Sequence, residues 1–187
     1  QASFIRATLC AAAIVVAACQ SPPQHLSPSS ESAYRPTSTL KELMVYVLGP
    51  PADALWASMS VVIDEQGTLE KVPQTDEEWE VARGYAIQLA EASNLLQIPG
   101  RAIARPGETP QFPGIDLEFD EIERLIDSDR AAWNEFAHDL HDKSMAVVQV
   151  IDAQDADGLY DAGAVLYEAC EACHKTYWFP SGPPRVQ

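Results

Sequence analysis

Basic residues are scarce in this chain: 12 Lys and Arg stand against 28 Asp and Glu, a net charge of −16. Such a surface repels phosphates, which argues against nucleic acid and anionic lipid headgroups and leaves a basic protein as the partner that electrostatics would steer in. Cysteine is sparse too. Of four, Cys10 and Cys19 fall in the first 19 residues, so Cys170 and Cys173 are left to the folded part and no disulfide scaffold can be built. No run of alternating β-branched residues announces a sheet, so the chain is expected to be all-α. No internal repeat is present, and no nucleophile and base stand at a catalytic spacing. Acidic runs such as DEEWE read as solvated faces and caps, and the protein is expected not to be an enzyme. The apolar run from Ala7 to Ala18 would span about 18 Å as a helix, short of the roughly 30 Å hydrocarbon core of a membrane.

That run, preceded by Arg6, reads as an export leader over 1–18. It ends in Val16-Ala17-Ala18-Cys19. This resembles the lipobox of bacterial lipoproteins, which implies acylation of Cys19 and a membrane-anchored protein in the periplasm. An ordinary export signal with an incidental Cys19, giving a soluble periplasmic protein, is the alternative. Residues 19–37, rich in Pro and Ser, read as a flexible tether. The folded domain is expected over 38–180, with a tail at 181–187.

Helical periodicity then takes over. A first helix is expected from about Ser38 to Asp64, with Leu40, Leu43, Met44, Val47 and Leu48 as its apolar stripe. Gly49-Pro50-Pro51 should break or kink it, since proline lacks the N–H and crowds the preceding turn. A second helix begins with a capping box at Thr75 and Glu78 and runs to about Gln97, with Val81, Ala82, Tyr85, Leu89 and Leu96 inward. The stretch IPGRAIARPGETPQFPG holds four prolines and three glycines in seventeen residues, too many for a helix. It forms a long connection, with a short helix near Leu117 to Ile126. The third main helix is expected from Ser128 or Asp129 to Ala153, with Trp133, Phe136, Leu140 and Ile151 inward. The fourth runs from Asp155 to Trp178. Long amphipathic helices joined mostly by short turns suggest an antiparallel four-helix bundle, with the proline-rich connection between helices 2 and 3.

The last helix ends in Cys170-Glu171-Ala172-Cys173-His174. On a helix the two cysteines share a face about 5–6 Å apart, with an imidazole beside them. Cys-x-x-Cys-His is the attachment signature of c-type haem, added outside the cytoplasm. Two rival uses of the thiols stay open. A thioredoxin-like dithiol would want a βαβ unit. Zinc could take Cys170 and Cys173 with His138 and His141, two histidines at i and i+3 on the third helix, though that would leave His174 without a role.

With CEACHKTYW at its end and LKELMVYVLGPPADALW in its first helix, the chain resembles the cytochrome c prime family over roughly residues 38–178, and in particular its low-spin members. The resemblance implies one covalent haem c, held by Cys170 and Cys173, with His174 as proximal iron ligand and Met44 as distal ligand. By spacing alone Met44 reads as core, and Met59 and Met145 are further methionines to consider. Members of the family tend to carry Arg or Lys four residues after the ligand histidine, where this chain has Trp178. A filled sixth position implies an electron carrier. A vacant apolar one implies a protein that binds NO or CO. The third possibility is a fixed electron-transfer subunit of a larger membrane complex. The partners expected are a redox protein with a basic docking surface, the membrane through the lipid anchor, and a second copy of the chain or a larger assembly. Tyr177, Trp178 and Phe179 either face such a partner or close the packing.

Overall fold

The computed structural model describes residues 34–65 and 67–180. The leader, Cys19, most of the tether and the tail lie outside the described residues. Helix starts follow the sequence closely. In α1 (Leu40–Leu43) the Thr39 hydroxyl accepts from Glu42 N at 3.1 Å, while the Glu42 carboxylate accepts from Thr39 N at 2.9 Å. The same reciprocal pair, Thr75 and Glu78, opens α3 (Asp76–Leu96). Each pair satisfies backbone donors that the first turn of a helix leaves free.

The prolines act differently from expectation. α1 passes into a π-helical turn, Met44–Leu48, and then into α2 (Gly49–Ser58), which carries Pro50 and Pro51 in its first turn. In α geometry these rings would meet the carbonyls of Tyr46 and Val47, and neither proline could donate to them. The chain relieves the clash by widening one turn, so that Gly49 N donates to Met44 O five residues back. The expected break or kink is therefore a π-turn through which the helix continues. The extra residue in that turn rotates the outer face, and Val45, Tyr46 and Val47 are exposed. Val47, expected inward, thus faces solvent, as does Val81 of α3.

The first helix also stops early. Met59 leaves helical geometry at φ −131°, and Ser60–Asp64 (β1) pairs antiparallel with Gly67–Lys71 (β2). The expectation of an all-α chain, with helix as far as Asp64, is corrected here. Val61-Val62-Ile63 is a β-branched run that suits a pleated strand, and Gly67, at φ 132°, permits the tight return. The molecule is mostly helical with one small hairpin.

α4 (Phe119–Ser128) is the expected short helix. α5 (Arg130–Asp152) and α6 (Ala156–Tyr177) lie near their expected bounds, capped by the Asp129 and Asp155 carboxylates at 3.0 Å each. α2 packs on α3, α3 along α5, and α5 along α6, with α4 against α5 and α6. Leu43, Leu55, Leu89, Ile122, Leu159 and Leu166 are fully buried at these contacts. Each contributes about 1.5–3 kcal/mol of transfer free energy. No described helix is long and apolar enough to cross a membrane.

The proline-rich connection is docked rather than loose. Leu40 N and Lys41 N donate to the Ala102 and Ile103 carbonyls at 2.8 and 2.9 Å. Lys41 meets Glu108 at 3.5 Å and Arg105 meets Glu42 at 3.4 Å. The segment thereby fixes the start of the helix that carries Met44.

Candidate functional site

α6 turns one apolar stripe inward: Leu159, Gly163, Leu166 and Ala169 are buried, and so is Tyr177 at its end. Cys170 and Cys173 sit four and seven residues after Leu166 on that same stripe, so the helix that builds the core also aims both thiols into it. Both are free and half-buried. Burial pushes the Cys170 thiol up to about 11, with help from the Glu171 carboxylate. Burial pushes Cys173 up to about 12, and the neighbouring Cys170 adds to it. His174 moves the other way: burial lowers its pKa against the pull of Glu171, so the imidazole is held neutral.

These three groups face a cleft of about 250 Å³. Across it stand Met44 of the π-turn with Leu48, Ala52 and Trp56 of the same arm. Leu89, Leu96, Phe136 and Leu140 complete an apolar wall. A second, smaller cavity of about 20 Å³ again brings Met44 together with Cys173 and His174, beside Trp133 and Tyr177. The four predicted site residues of the folded part therefore border one space, although 126 positions (170 − 44) separate Met44 from Cys170. Met59 is elsewhere: it is buried against Gly163, where a Cβ would strike its sulfur. Met145, half-buried on α5, does not line the cleft.

The rival uses of the thiols fail on geometry. His138 is exposed, and His141 Nδ1 pairs with Asp142 at 3.2 Å. Among the described residues no three His, Cys, Asp or Glu side chains converge as a metal site would need. A redox-active dithiol relies on a depressed thiol pKa, whereas both thiols here are raised, and the only described strands form an antiparallel hairpin rather than a βαβ unit.

The aromatic residues after His174 close the packing. Tyr177 is buried edge-on to Trp133 and Phe136, with ring centres 5.0 and 5.7 Å apart. Trp178 leans on Phe119, and Phe179 on the His174 ring at 5.4 Å. Lys175 pairs with Glu171 at 3.6 Å. Sequence reasoning did not identify Asp53, Trp56 and Tyr167 as residues of the site. Asp53 and Trp56 share a face of α2, and Tyr167 lies one turn before Cys170, but only the fold brings them to one cleft.

The donor set suits a porphyrin held covalently: two unbridged, protonated thiols on one helix face, a neutral imidazole next to them, a thioether opposite and an apolar wall between. No family model and no curated protein matches the chain. Among solved structures, the cytochrome c' of Thermochromatium tepidum is similar at a TM-score of 0.41 and 17% identity, over 74% of this chain and 88% of that one.

Proposed function

We propose that this chain is a monohaem c-type cytochrome built as an antiparallel four-helix bundle, which carries single electrons outside the cytoplasm. The observation that carries the reading is the convergence of Cys170, Cys173, His174 and Met44 on one apolar cleft. When bound, haem supplies a one-electron iron couple. The chain's part is to hold, ligate and shelter it. Cys170 and Cys173 would form the thioether bonds, His174 would offer a ring nitrogen kept free of protons by burial, and Met44 would offer its sulfur. A thioether ligand raises the potential of the couple, and the apolar wall keeps water away. Acylation at Cys19 would tether the protein to the membrane, and the acidic surface would steer in a basic redox partner.

The test is the absorption spectrum and intact mass of the natively matured protein. The mass should include one covalently added macrocycle. The oxidised spectrum should be low-spin, with the weak far-red band of thioether ligation, and Met44→Ala should abolish that band. Rapid CO binding by the untreated reduced protein would instead make it a gas-binding haem protein. A colourless product would overturn both.

A further inference from the structure

The cleft has a recognisable mouth. Of its lining residues, Asp53 on α2 and Tyr167 on α6 are exposed, and the rest are half-buried or buried. Between them Trp56 and Tyr167 meet edge to face, ring centres 6.0 Å apart, and Trp56 Nε1 donates to Gly163 O at 3.4 Å. We propose that this α2–α6 seam, with Asp53, Trp56, Tyr167 and Glu168 around it, is the docking surface for a lysine- or arginine-rich redox protein. The proposal rests on the haem reading and adds to it the face on which the partner sits.

Charge complementarity selects the partner. Asp53 and Glu171 are the charged residues that line the cleft, and both are acidic. Glu171 is largely covered and already paired with Lys175, so the unpaired charge lining the mouth comes from Asp53. The exposed Glu168, which follows Tyr167 in the chain, adds a second carboxylate on the outer side of α6. Tyr167, 51% exposed, and the half-buried Trp56 it packs against put ring surface beside the carboxylate of Asp53 at the mouth. An apolar centre inside a charged rim is the usual anatomy of a transient protein interface. A cationic partner gains attraction at the rim, and its approach brings it to the mouth of the redox cleft.

The experiment follows oxidation of the reduced holoprotein by tris(phenanthroline)cobalt(III), a trivalent cation. One electron leaves the protein and cobalt(III) becomes cobalt(II). Ferricyanide, an anion that also takes one electron, is the counter-probe. In Asp53→Lys/Glu168→Lys the cobalt rate should fall on the order of tenfold at low salt, and the ferricyanide rate should rise, with both changes shrinking as salt is added. Asp53→Asn/Glu168→Gln should give a smaller change in the same directions. Glu91→Lys/Glu123→Lys, an equal charge change on exposed sites away from the cleft, should leave the ratio of the two rates near that of the parent. Equal effects from the seam and distant pairs, or no effect from the seam pair, would overturn the proposal while leaving the haem reading intact. A colourless protein would instead sink the haem reading and the redox character of the partner. Amide shifts on adding octalysine would then still show whether cations gather at 53, 56, 167 and 168 or elsewhere.

Discussion

At the scale of single residues, the seam between α2 and α6 depends on one glycine. Gly163 gives Trp56 a carbonyl to donate to, and its missing side chain leaves room for Met59. Gly163→Ala gains the helical preference of alanine, about 1 kcal/mol, but overpacks the Met59 sulfur at a cost of typically 1–3 kcal/mol. Net destabilisation up to about 2 kcal/mol is expected, read as a lower urea midpoint at unchanged slope. If the midpoint held, the thioether would have swung aside at no cost. The Cys170, Cys173 and His174 cluster was legible because its pattern is local: three positions within a span of five, with a spacing few other uses need. Met44 was not legible from spacing, since a methionine in an apolar stripe reads as core whether or not it faces a cavity.

At the scale of elements, the π-turn is a device for aiming Met44. Pro50→Ala/Pro51→Ala would restore two backbone donors and remove the crowding at the Tyr46 and Val47 carbonyls, and the turn should relax to α geometry. Helicity by far-ultraviolet circular dichroism should rise slightly, while the far-red band weakens as Met44 rotates off the cleft. An unchanged band would mean that the sulfur is held by its neighbours rather than by the turn. The clamp on α1 makes a separate prediction for acid. The Glu42 carboxyl is held below its ordinary 4.5, first by the Thr39 backbone N–H, then by the Thr39 hydroxyl and Arg105. Glu108 is lowered likewise, first by the Arg105 backbone N–H and then by Lys41. A depressed carboxyl pKa means that the unfolded chain binds protons more readily. The stabilisation is therefore complete above about 4.5 and is lost as pH falls through the lower folded values. Denaturant titrations from neutral pH down to about pH 3 should show this loss, and Glu42→Gln should flatten the slope. Helix starts were readable because a capping box is written in four consecutive residues. The hairpin was not, because Val61-Val62-Ile63 continues the apolar positions of α2 without a break, and only its pairing with β2 settles the conformation.

At the scale of the whole molecule, α3, α5 and α6 pack successively side by side, and the arm that follows α1, the π-turn and α2, lies on α3. The cleft is the space left between that arm and α6, crossed by side chains such as the Trp56–Tyr167 pair. No local pattern encodes such a seam, since the contact joins residues more than a hundred positions apart. The proline-rich connection was readable as irregular but not as necessary. Its composition forbids a helix, yet says nothing of where its carbonyls go. They go to Leu40 and Lys41, whose amides no residue of their own helix could satisfy. Loops usually tolerate shortening, because their backbone is solvated. In this one, excising residues 101–108 would strip another segment of its hydrogen-bond acceptors and its ionic clamp, so a deletion made sixty positions downstream would fray the beginning of the fold.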